Sequence, residues 1–182
     1  MMTDPAIHEA NRASTARIHA LGDLSDEALR TPVGEHWTVS VALAHLAFWD
    51  LRALDVLERT ERTGSVDAPG VDPVVNDLAL GSWSAIPPRD ALRLAIEAAD
   101  AMDARVAGYP ADLVAAVEAV NERWIRRSLH RDPHLDEVER ALGRSAPGRQ
   151  APGRQAPGRQ ALGAVPRPCR VATASCHGSP GR

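Results

Sequence analysis

Three histidines carry the chemistry that this sequence offers. His130 and His134 stand four apart in Ser128-Leu129-His130-Arg131-Asp132-Pro133-His134-Leu135. On a helix that spacing stacks two side chains on one face, about 5–6 Å apart at Cβ. Two imidazoles so placed reach one metal ion at about 2.0–2.1 Å. The same spacing also suits a pair of solvated or helix-capping histidines. His45 lies inside an apolar stretch, between Ala44 and Leu46, with Val41, Phe48 and Trp49 at helical offsets. A histidine in such surroundings needs a hydrogen-bond partner or a metal. The ordinary alternative is a core histidine bonded to Asp50 or Asn76. Taken together, a buried histidine and a later H-x-x-x-H pair are what a metal site in a helix-bundle core requires. Three neutral imidazoles would leave a divalent ion with a coordination position open, the arrangement of catalytic sites. Water at that position ionises more easily, and a thiol there is held as the thiolate. Zinc is the first choice for three histidines; nickel, iron and manganese accept the same nitrogen donors.

Other chemistry-bearing residues are fewer. Arg123, Arg126, Arg127 and Arg131 form a basic run beside the paired histidines. Such a run is ordinarily a solvated face, yet Arg127 or Arg131 is placed to hold a carboxylate of a substrate or a thiol. The tryptophans at 37, 49, 83 and 124 read as packing anchors, with Trp37 or Trp49 also available to wall a pocket. His8, His19, His36 and His177 are not assigned as ligands. Cys169 and Cys176 lack zinc-binding spacing, and neither a phosphate-cradling glycine loop nor a serine-centred nucleophile motif occurs.

The elements that must position these groups read as helices. Asp4-Pro5 supplies a cap and a proline at the first helical position. Ile7, Ala10, Ser14, Ile18 and Leu21 then form one apolar stripe that ends at Gly22. Residues 23–36 are a connection, with a short turn over 25–29. A second helix starts at 38 or 40 and runs to about 61. A loop at 64–70 and a short helix over 72–82, capped by Asp72-Pro73, follow. Pro87-Pro88 opens a third long helix with Ala91, Leu94, Ala95, Ala98, Met102 and Val106 on its stripe; Gly108 and Pro110 end it. The fourth long segment spans about 113–142. Strand signals are nearly absent. The fold class is therefore all-α, an antiparallel four-helix bundle with one long connection at 62–88. Pro133 removes a backbone donor between the paired histidines, at about 3 kcal/mol if truly interior. A fresh helix starting at Asp132 would part the pair; a kink, which is the expectation here, preserves it.

The chain has 182 residues, 44% hydrophobic and 25% charged, within the range of one ordinary globular domain. All 21 basic residues are arginine. Residues 146–160 read APGRQ three times, and Pro-Gly in every copy defeats helix and strand alike. The expected organisation is a helical domain over 1–142 and a disordered tail over 143–182. The overall formal charge is −3; the tail holds seven arginines and no acid, which leaves the first 142 residues at −10. So acidic a body argues against nucleic-acid binding. With no run of about 18 apolar residues, no membrane span is expected. The opening Met1-Met2-Thr3-Asp4-Pro5 lacks a signal pattern, which makes the cytoplasm the expected location.

Glu35-His36-Trp37-Thr38-Val39, leading into Ala42-Leu43-Ala44-His45-Leu46, and the closing Leu129-His130-Arg131-Asp132-Pro133-His134-Leu135-Asp136-Glu137-Val138 resemble the DinB superfamily. The nearest branch by these motifs is the actinobacterial group containing the metal-binding domain of mycothiol-dependent maleylpyruvate isomerase. The resemblance covers about residues 5–142. It implies a four-helix bundle in which His45 is the ligand from the second helix and His130 and His134 are the pair from the last. It further implies a small-molecule thiol cofactor such as mycothiol, whose thiolate adds to an electrophilic substrate in transfer or isomerisation. The alternative is a metal-binding or stress-associated bundle protein without turnover. Homodimerisation suits a bundle with spare apolar surface.

Overall fold

The computed structural model describes residues 4–66 and 74–144. The tail expected to be disordered lies outside the described residues from 145 onward, with Cys169, Cys176 and His177 in it, as does the Asp72-Pro73 cap. Over the described chain the protein is mostly helical. Helix α1 (Pro5–His19) starts where Asp4 accepts a hydrogen bond from the Ala6 amide at 3.0 Å, with Pro5 in its first turn. The short helix α2 (Asp26–Leu29) is capped by Ser25. Helix α3 (Val39–Thr63) is capped by Thr38 and ends at Gly64, whose φ of 68° is the left-handed conformation that suits glycine. Helices α4 (Val74–Ser84) and α5 (Pro88–Ala107) follow, then α6 (Ala111–Asn121) and α7 (Ser128–Ala141).

Three features depart from the sequence-based expectation. Strands β1 (Pro32–Val33) and β2 (Trp37–Thr38) pair antiparallel, Val33 opposite Trp37, around a turn at Gly34 with φ 63°. The hairpin is tiny, but it delivers Trp37 and the Thr38 cap to the start of α3. The segment expected as one helix over 113–142 is broken. Asn121 adopts an extended conformation and its side chain accepts from the Arg123 amide at 3.1 Å. An asparagine bonding backbone two residues on offers the chain an alternative to the helical ladder. A 3-10 turn over Glu122–Trp124 then leads into α7. Lastly, the long helices do not alternate strictly in direction. One apolar cluster gathers Ile18, Leu43, Leu46, Ala95 and Leu135. The other gathers Ile7, Val56, Leu57, Met102, Val106 and Ile125. Helices α3 and α5 therefore run the same way, and α1 and α7 run the opposite way. The connection holding α4 gives the chain the length to return before α5 begins.

Helix α7 is oriented by charge as well as by apolar burial. Arg17 of α1 bonds Asp132 at 3.0 Å, Asp136 at 2.7 Å and Glu139 at 2.9 Å. Residue 132 is about 200° around a helix from residue 130, so these acids facing α1 turn His130 and His134 toward α3. The helix is continuous through Pro133, which is exposed. It begins at Ser128, not at Asp132, so the paired histidines share one helix. Proline leaves the Leu129 carbonyl without its helical donor; Leu129 is itself exposed, so water can serve instead.

Candidate metal centre

His45 projects from the middle of α3 and is 1% exposed. Its Nε2 lies 3.1 Å from His130 Nε2. His134, one turn along α7, completes a triangle: each residue offers one ring nitrogen, and all three atoms lie within 4.8 Å of one another. Nitrogens bound to one tetrahedral ion at about 2.0–2.1 Å are about 3.4 Å apart, so the first pair is already at ligand spacing and the third needs a small approach. Both alternative partners for His45 are engaged elsewhere. Asp50 accepts from two arginines, and Asn76 Oδ1 accepts from Trp49 Nε1 at 3.1 Å. The Nδ1 atoms of His45 and His134 are buried without a hydrogen bond. His134 Nδ1 comes no nearer than 3.7 Å to Glu137, beyond hydrogen-bond length. Buried polar atoms are rarely left unpaired, and neither of these two belongs to the 3.1 Å Nε2 pair. The three histidines form a group able to hold a metal ion.

The electrostatics keep these rings neutral, the form that ligates. Burial, the like charge of His134 and nearby Arg127 push His45 from 6.5 down to about 3. Burial and Arg127 push His130 further below its usual range. Burial also lowers His134, against an opposing pull from Glu137. Indoles pack around the rings: Trp37 stacks on His134 at 5.6 Å and lies 4.8 Å from His45, and Trp83 meets His45 edge-on at 5.1 Å.

Arg127 and Arg131 have unlike roles. Arg131 is fully buried; its Nε bonds Asp50 at 2.9 Å and its Nη1 bonds Thr15 at 2.8 Å and Asp103 at 3.0 Å. It ties α7 to α1, α3 and α5 and is unavailable to a ligand, which corrects the expectation that it binds a cofactor. Arg127 does line the site. Its Nε bonds Asp50 at 2.8 Å, its Nη1 donates to the Arg123 carbonyl at 2.6 Å, and its Nη2 lies 3.1 Å from His130 Nδ1. A guanidinium only donates. His130 Nδ1 is therefore the acceptor, its proton sits on Nε2, and that N–H points at His45 Nε2.

A cavity of about 210 Å³ opens on the three histidines. Trp49, Trp124, Asn76 and Asn121 line it with Arg123 and Arg127; of the two tryptophans expected as walls, Trp49 takes that place. Arg123, Asn121 and Asp50 were not singled out from sequence as site residues. The four-residue step from Arg123 to Arg127 was a signal for the first. No family model matches this chain, and no curated protein or solved structure is found similar to it.

Proposed function

We propose that this protein is a DinB-like four-helix-bundle enzyme that binds a divalent metal ion through His45, His130 and His134 and handles a small thiol there. The resemblance of its two motifs to that superfamily supports the assignment. The observation that carries it is the convergence of an early histidine and a late pair, one ring nitrogen of each within 4.8 Å of the others. Zinc fits three neutral imidazoles best, with nickel, iron or manganese as further candidates. His45, His130 and His134 would hold the ion, which when bound would favour the thiolate form of a thiol near neutral pH. The surrounding residues do the rest. Burial keeps the imidazoles unprotonated, and Trp37, Trp49 and Trp83 exclude water from their flanks. The open cavity gives a small electrophile access to the histidines; in transfer its leaving group would depart as the thiol adds, and in isomerisation the added thiol would be expelled again. Among the described residues no helix is long and apolar enough to cross a membrane. A free-thiol cosubstrate such as mycothiol suits a reducing cytoplasm. A metal-binding bundle without turnover is the second reading; the cavity open to the histidines favours the enzyme.

Metal analysis of the purified protein tests the reading. Near-stoichiometric metal is expected, with His45→Ala and His134→Ala each losing it while keeping helical circular dichroism. A metal-free parent at neutral pH refutes the site. Thiol consumption with generic electrophiles then separates the enzyme from the passive binder.

A further inference from the structure

We infer that the cavity beside the histidines is built to take a small carboxylate, held by Arg123. The inference rests on the proposed site, since the carboxylate is the far end of a ligand whose reacting end meets the histidines. It does not require the metal. The first 142 residues carry a formal charge of −10, yet among the described residues no acid lines this cavity and two arginines do. Arg127 is committed to Asp50, to the Arg123 carbonyl and to His130. The Arg123 side chain is exposed, and among the described residues its guanidinium has no hydrogen-bond or ion-pair partner. Its charge nevertheless bears on both Arg127 and His130.

The uncharged lining is equally one-sided. Asn76 spends its oxygen on Trp49, which leaves its amide N–H groups to donate. Asn121 spends its oxygen on the Arg123 amide. Apart from the histidines, the lining therefore offers more donors than free acceptors, and the end of the ligand that meets it accepts without donating. A carboxylate does so, and its two oxygens fit the guanidinium fork. The volume, about 210 Å³, lies under the roughly 300–1,000 Å³ of drug-sized pockets, so the ligand is small.

Arg123→Gln tests this cleanly, because the contacts of Arg123 within the fold are made by its backbone, which the substitution keeps. Saturation-transfer NMR on metal-free and metal-loaded protein compares succinate, uncharged succinamide and inorganic phosphate. Succinate is expected to bind about tenfold or more tighter than succinamide, with the preference gone in Arg123→Gln and metal content unchanged. Equal binding of succinate and succinamide, phosphate binding as tightly as succinate, or succinate binding indifferent to Arg123→Gln would each overturn the carboxylate site. Metal content is read separately. A carboxylate preference in a protein that takes up no metal sinks only the three-histidine reading, and metal uptake without the preference sinks only this one.

Discussion

At the scale of single residues, the decisive contact is between Arg127 and His130. Arg127 donates to Nδ1, which puts the imidazole proton on Nε2, the nitrogen facing His45. Ligation through Nε2 requires that proton to move to Nδ1, where it would meet a second donor. Arg127 thus opposes metal uptake at the same time as it shapes the cavity. Replacing it with glutamine supplies an oxygen able to accept from Nδ1–H. Arg127→Gln is expected to tighten metal binding by about tenfold, the worth of about 1.4 kcal/mol, read by competition with a chromophoric chelator. Unchanged or weaker binding would show that the guanidinium is no obstacle. Sequence alone could not separate Arg127 from Arg131. Both stand on an i, i+4 step, and what distinguishes them lies across the core in Asp50, Asp103 and Thr15. The histidines were legible because spacing on one helix and apolar flanks on another are local properties.

At the scale of elements, α7 is the least expected part and the most instructive. A helix carrying a proline at its sixth position still keeps His130 and His134 on one face, their ring centroids 5.2 Å apart. Packing and the Arg17 network hold what backbone propensity alone would break. Pro133→Ala restores a donor for the Leu129 carbonyl. It is expected to stabilise the fold by about 2 kcal/mol, the helix gain of about 3 kcal/mol reduced by proline's restraint on the unfolded chain. Urea denaturation measures it, with metal content as the control; a loss of stability would mean that α7 needs its proline. The break at Asn121 escaped detection because Val114, Val117 and Val120 continue an apolar helical pattern right up to it. The β1–β2 hairpin escaped because two residues per strand are too few for an alternating pattern to register. The major helix starts were legible from caps and prolines, which act within one turn.

At the scale of the whole molecule, the buried histidines make stability depend on pH. His45 has a folded-state pKa of about 3 against 6.5 in the free chain. Between those values the unfolded state binds the extra proton, so stability is complete above about 6.5 and falls as the pH is lowered toward 3. The slope is about 1.4 kcal/mol per pH unit for each histidine that protonates only on unfolding. Urea midpoints measured from pH 7 down to pH 5 are expected to fall, and a flat profile would contradict neutral burial. The direction of α3 and α5 was not legible, because run direction is set by which chain ends meet and not by any stripe. That topology reaches beyond architecture. His45 and His130 are 85 positions apart in the chain, and they meet only once α7 has docked on α3. No fragment of the nascent polypeptide ending before residue 130 contains the pocket, and contacts this distant in sequence form late. An ion captured by these histidines would then be a completion signal, arriving after assembly instead of nucleating it.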